Sequence, residues 1–109
     1  MIKVSVLYPI KPGSRFDADY YLNVHMPMTA KLLGHALKAA TAEIGIAGGA
    51  PGEPAPFAAI ACFTCESVEV FMGAFMPLVG QLQSDIPKYT DIEPVIQISN
   101  LTEFSITSA

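Results

Sequence analysis

Ile2-Lys3-Val4-Ser5-Val6-Leu7-Tyr8 is the stretch from which the fold can be read. Successive side chains of a strand point to opposite faces, so Ile2, Val4, Val6 and Tyr8 share one apolar face while Lys3, Ser5 and Leu7 share the other. Pro9 and Lys11-Pro12-Gly13-Ser14 then end the strand in a loop. A chain that opens on a half-buried strand needs helices to cover the apolar face, and the segments downstream provide them.

Asp17 is a good N-cap, Asp19 adds favourable charge in the first turn, and Phe16 can staple onto Tyr21. The spacing predicts a helix from Ala18 to His25. Pro27 lacks a backbone donor and its ring opposes the Asn23 carbonyl, so a break or kink is expected there, followed by a second short piece through Leu32-Leu33 that stops at Gly34. Leu37 to Ala47 reads as a second strand with alternation blurred by alanines. Gly48 to Pro54 is a turn-rich connection, and Phe57 to Cys65 is a third strand. Ser67 caps a second helix whose apolar stripe comprises Val68, Phe71, Met72, Phe75, Leu78, Val79 and Leu82, with a kink expected between Gly73 and Pro77. Asp85 to Asp91 is a structured connection, and Val95 to Phe104 is the last strand. The order is β-α-β-β-α-β. It predicts an α+β, ferredoxin-like split arrangement with a four-stranded antiparallel sheet and both helices on one face.

Totals narrow the function. The chain has 109 residues, enough for one domain spanning 1–109. Half of it is hydrophobic (51%) and 15% is charged, which excludes a disordered chain. Net charge is −4 and the six cations are scattered, which argues against nucleic acid as a partner. No apolar run approaches a membrane span, and no basic-then-apolar leader opens the chain. Cys62 and Cys65 have C-x-x-C spacing, but on a strand they point to opposite faces, so packing is the expected role. Reduced thiols fit a cytoplasmic location. The helices leave one sheet face bare, with Leu7 on it, and a two-fold copy placed sheet against sheet would cover it. A homodimer is therefore expected.

His25 is the prime candidate for proton chemistry, because imidazole both accepts and donates a proton near neutrality. Tyr21 precedes it by one helical turn and is expected to orient it. Tyr20, Met28 and Leu7 are the expected ligand contacts. His35, after Gly34, is expected to be solvated. Asp85, before Ile86-Pro87, is expected to cap the short segment after it, with reach into the cavity as the alternative. With no acid evidently beside it, His25 is expected to be uncharged and to act first as a base. No metal-ligand spacing, phosphate loop or nucleophile elbow is present, so no cofactor and no metal are expected.

Phe16-Asp17, Tyr20-Tyr21, His25-Met26-Pro27-Met28 and Asp85-Ile86-Pro87-Lys88-Tyr89-Thr90-Asp91 together resemble the EthD family, named for ethyl tert-butyl ether degradation and placed in the dimeric α+β barrel group. The resemblance covers nearly the whole chain. It implies a ferredoxin-like subunit that pairs with its copy, and a cavity for a small apolar or cyclic catabolite. The family's H-x-P histidine carries over onto His25. Relatives in the wider group include lactone isomerases, polyketide cyclases and cofactor-independent monooxygenases. The implied function is small-molecule catabolism, with cofactor-independent proton transfer of the isomerase or cyclase kind. The alternatives are a non-catalytic accessory or binding protein of an oxidative ether or aromatic degradation pathway, and a cofactor-free oxidoreductase.

Overall fold

The computed structural model describes residues 1–107. Strands β1 (Ile2–Pro9), β2 (Ala39–Ile44), β3 (Phe57–Cys65) and β4 (Val95–Asn100) form one antiparallel sheet in the order β2-β3-β1-β4. Strand β1 is central and pairs on both sides, Val4 facing Phe63 of β3 and Ile98 of β4. Its alternation is the one read from the sequence: Ile2, Val4 and Tyr8 are buried, while Lys3, Ser5 and Leu7 are half-buried on the other face. Val4 is almost fully enclosed. Burial of such a side chain contributes about 1.5–3 kcal/mol.

The first helical arm follows β1. It comprises α1 (Ala18–Tyr20), a π-helical turn (Tyr21–His25) and α2 (Met26–Leu33). Asp17 caps it, its carboxylate accepting from the Tyr20 N–H at 3.1 Å, and the Phe16 ring packs on Tyr21 with centroids 5.0 Å apart. At Pro27, where a break or kink is expected, the chain stays helical. The turn before Pro27 widens instead, so that the Met26 N–H donates to the Tyr21 carbonyl five residues back. The wider turn relieves the crowding a proline ring imposes on an α-helix, and Pro27 then sits in the first turn of α2, where a missing N–H costs little. Gly34 ends the arm with φ of 51°, a conformation that favours glycine.

Strand β2 is shorter than the expected Leu37–Ala47. Leu37 still closes a 3-10 turn at Gly34–Ala36. At the far end a Cβ on Gly45 would strike the Phe57 carbonyl, so β2 and β3 approach there too closely for a larger residue. Strand β4 also stops short of the expected Phe104. Its partner β1 begins at Ile2, opposite Asn100, and beyond the Leu101 N–H bond to the Met1 carbonyl no paired backbone remains.

The second arm comprises α3 (Val68–Phe75), a 3-10 turn at Met76–Leu78 containing Pro77, and α4 (Val79–Asp85). Ser67 caps α3 by accepting from the Val70 N–H at 3.1 Å. Both arms lie on the same side of the sheet: Met26, Leu33, Phe71 and Leu82 meet Val4, Ala61 and Phe63 around a shared cavity. The opposite face carries Lys3, Ser5, Leu7, Ile60, Cys62 and Thr64, with no helix over it. Cys62 faces Ser5 there and Cys65 faces Ile2 on the covered side, both as free thiols. No helix among the described residues is long and apolar enough to cross a membrane.

Candidate functional site

The cavity between sheet and helices encloses about 190 Å³. Val4, Val6, Phe63, Phe71, Phe75 and Ile98 make most of its wall. Its polar lining is sparse: His25, Thr29, Tyr8 and Gln83.

His25 ends the π-helical turn and is buried at 6% exposure. Its Nδ1 lies 2.9 Å from Oδ2 of Asp85, which is equally buried. This overturns two expectations. Asp85 makes no capping bond to the Ile86–Lys88 turn that follows it, and His25 does have an acid beside it. Asp85 closes α4 one helical turn after the buried Leu82, so it continues that helix's buried stripe without itself lining the cavity. Its other oxygen, Oδ1, accepts from the Tyr20 hydroxyl at 2.9 Å and lies 3.4 Å from Lys88 Nζ. Burial pushes the Asp85 carboxyl up. The hydrogen bonds from His25, Tyr20 and Lys88, with the charge of His25, outweigh it and hold the group below the usual carboxylate range.

An ionised carboxylate only accepts, so the proton of the uncharged imidazole resides on Nδ1. Nε2 is then the basic nitrogen, and His25 is the residue of the pair that lines the cavity. The Thr29 hydroxyl donates to the His25 carbonyl at 2.8 Å, which ties the widened turn to α2.

Tyr21 does not hold His25 by a hydrogen bond. The two rings stack at 6.0 Å and 16°, and the Tyr21 hydroxyl is buried without a hydrogen-bond partner among the described residues. Tyr21 sits at full burial among Tyr8, Phe16 and Tyr89. Of the expected ligand contacts, Tyr20 reaches Asp85 rather than the cavity. Met28 is half-buried one position past Pro27, and Leu7 lies on the open sheet face. None of the three lines the cavity, whose wall takes Met26 from the helix and Val6 and Tyr8 from β1. His35 is exposed, as expected. Among the described residues no three His, Cys, Asp or Glu side chains gather to hold a metal ion.

Sequence reasoning gave Tyr89 no role. It is fully buried, its ring centroid 4.6 Å from that of His25 and its hydroxyl 2.7 Å from that of Tyr8. The loops fix it. The Asp17 N–H donates to the Tyr89 carbonyl at 2.7 Å, the Thr90 hydroxyl donates to the Arg15 carbonyl, and the Arg15 N–H donates to the Asp91 carboxylate at 2.8 Å. These bonds clamp residues 85–91 against the start of the first arm, which is what brings Asp85 to His25. A faint signal was present: Tyr89 follows Asp85 by four residues, in a segment too rich in apolar and aromatic residues for a free loop.

A four-stranded antiparallel sheet with two helical arms on one face defines an α+β protein of the ferredoxin-like kind. The EthD domain model matches residues 14–93, which takes in both the His25 and Asp85 segments, and the chain belongs to the EthD family. An EthD-like protein of Ralstonia eutropha JMP134 is 46% identical over 95% of both chains, with a TM-score of 0.89. An ethyl tert-butyl ether degradation family protein of Bacillus halodurans shares the fold at 18% identity and a TM-score of 0.66, over 94% of this chain and 99% of its own. An Arabidopsis thaliana protein does so at 17% and 0.66, over 97% of this chain and 100% of its own. No curated protein matches the chain.

Proposed function

We propose that this EthD-family protein binds a small apolar or cyclic molecule in the cavity and moves a proton on it without a cofactor, His25 acting as the base. The observation that carries the reading is the buried His25–Asp85 pair, 2.9 Å apart, with His25 in the wall of a largely apolar cavity. Burying a carboxylate and an imidazole is costly, and an apolar side chain at either position would fill the wall more cheaply. Asp85 holds the ring by Nδ1 and leaves Nε2 free to accept a proton from a bound carbon acid. Such a positioned base contributes roughly 10²–10⁴-fold, and apolar confinement of the substrate supplies the rest.

The protein works as a homodimer in this reading. Leu7, Ile60 and the exposed Val95 lie on the sheet face that no helix covers, and Phe104 and Ile106 beyond β4 stand almost fully in solvent. A second copy laid on that face would bury them. Light scattering at micromolar concentration should give twice the chain mass of 11.6 kDa.

The reaction is tested with small cyclic ketones in deuterated water, following exchange at the carbon next to the carbonyl by NMR. Wild type accelerates exchange for the ketones that fit, and His25→Ala binds them without exchange. Binding by wild type with no acceleration on any of them supports a non-catalytic accessory protein instead.

A further inference from the structure

Taking a proton from carbon leaves negative charge on the substrate oxygen, and an enzyme gains most by placing a donor where that charge develops. His25 cannot be this donor while it is the base. Thr29 spends its hydroxyl proton on the His25 carbonyl, and Gln83 sits at an exposed position on α4. Tyr8 remains. Its hydroxyl and that of Tyr89 are 2.7 Å apart, both residues are buried, and neither hydroxyl has another hydrogen-bonded side chain among the described residues. Two hydroxyls carry two protons, and only one can lie between their oxygens. Tyr8 lines the cavity and Tyr89 does not. When Tyr89 donates to Tyr8, the Tyr8 proton is free to point at a molecule in the cavity.

Building on the proton-transfer reading, we propose that Tyr8 donates the hydrogen bond that receives the substrate's carbonyl oxygen, that Tyr89 supports it from behind, and that the substrate is an uncharged, apolar, enolisable ketone. His25 Nε2 takes the proton from the carbon beside the carbonyl. That C–H bond breaks, its electron pair forms a carbon–carbon double bond, and the carbonyl pair moves onto oxygen, where it meets the Tyr8 hydroxyl. When the ketone carries a double bond between its β and γ carbons, the oxygen pair then re-forms the carbonyl, the new double bond shifts to lie between the α and β carbons, and the γ carbon takes the same proton back from His25, an isomerisation in which nothing is oxidised, reduced or lost.

Three further observations agree. No lysine or arginine lines the cavity, so a carboxylate or phosphate substrate would meet no countercharge. Burial pushes the Tyr8 and Tyr89 hydroxyls up, so both keep their protons and act as donors. The rings of Tyr89 and His25 lie 4.6 Å apart, which puts the tyrosine pair beside the base.

The test uses 4-nitrophenol, whose phenolate oxygen stands in for the enolate oxygen and whose ionisation is visible by absorbance. Wild type binds the phenolate, and Tyr8→Phe weakens that binding about tenfold to a hundredfold, the loss expected for one hydrogen bond to a charged oxygen. Tyr89→Phe weakens it less and shifts the downfield proton resonance of the Tyr8–phenolate bond, a readout that a packing role would leave in place. Replacing Tyr8 by 3-fluorotyrosine preserves its shape, makes the hydroxyl a stronger donor, and tightens binding. Equal phenolate affinity in Tyr8→Phe and wild type would overturn the proposal, as would a wild type that does not bind the phenolate. If ketone exchange proceeds unchanged in Tyr8→Phe, the donor assignment fails while His25 stands as the base. If no ketone exchanges but phenolate binding depends on Tyr8, the donor site stands and the proton-transfer reading fails.

Discussion

Each helical arm carries a proline inside it, and the chain handles the two differently. Pro77 sits in a 3-10 turn between α3 and α4, where Met76 and Pro77 face solvent and no polar side chain depends on the local geometry. Pro27 follows a π-helical turn whose residues Tyr21 and His25 are buried and packed on Tyr89. A helical irregularity facing water is a convenience of packing. One enclosed by aromatic rings fixes the direction of the side chains it carries, and such π turns recur at functional sites. In the proposed function the first arm carries the base, and the second supplies an apolar wall and the carboxylate that holds that base.

The largest expected effect tests that assignment directly. His25→Ala should lower catalysed ketone exchange by about 10²–10⁴-fold, measured by NMR, and should also lower the thermal unfolding midpoint, measured by calorimetry, because it leaves the buried Asp85 carboxylate without its imidazole partner. A similar loss from Met72→Ala in the second arm would break the comparison.

Asp85→Ala comes next, because it removes the acid that the second arm brings to His25. It leaves His25 Nδ1 and the Tyr20 hydroxyl without their acceptor and should cost about 1–3 kcal/mol of stability at pH 7, together with most of the exchange activity. The pH dependence has a definite sign. The Asp85 carboxyl is lower in the folded protein than its ordinary value of 3.8, so its stabilisation is complete above that value and is lost as pH falls through the lower folded value. The gap in urea midpoint between wild type and Asp85→Ala should therefore hold from neutrality to about pH 5 and close in stronger acid.

The two prolines give a smaller contrast. Pro27→Ala removes the reason for the wide turn, and relaxation toward a regular helix should misplace the imidazole and cost about tenfold or more in exchange. Pro77→Ala should leave exchange unchanged and alter stability by no more than about 0.5 kcal/mol, read from paired kinetic and denaturation measurements.

The smallest effect separates two adjacent tyrosines. Tyr21→Phe removes a buried hydroxyl that has no hydrogen-bond partner among the described residues, so stability should stay level or rise slightly. Tyr20→Phe takes a donor from Asp85 and should lower stability by about 1 kcal/mol.

Much of the fold was legible because its determinants are local. The alternation from Ile2 to Tyr8, the caps at Asp17 and Ser67, the Phe16–Tyr21 staple and the stop at Gly34 each depend on neighbours within a few residues, and each stands in the structure as read. The site was legible only in part. His25 stood out by residue type and by its place before Pro27. Within its own segment Asp85 fits either a cap on the turn that follows or a group reaching the cavity, and a separation of sixty residues hides its bond to the imidazole. Tyr21 looked like the orienting residue because its spacing puts it next to His25. The ring is there, but its hydroxyl has no hydrogen-bond partner among the described residues.

The sequence by itself determined the element order, the apolar face of β1, the caps and the histidine, since propensity, alternation and capping act over one or two turns of chain. Only the tertiary structure decided which acid meets that histidine, which tyrosine faces the cavity and how the helix absorbs Pro27. Those depend on the backbone clamp between residues 15–17 and 87–91 and on the antiparallel register of β1 with β3 and β4. Contacts between segments far apart in the chain are set by how the packed layers close on one another, and no periodicity within either segment records them.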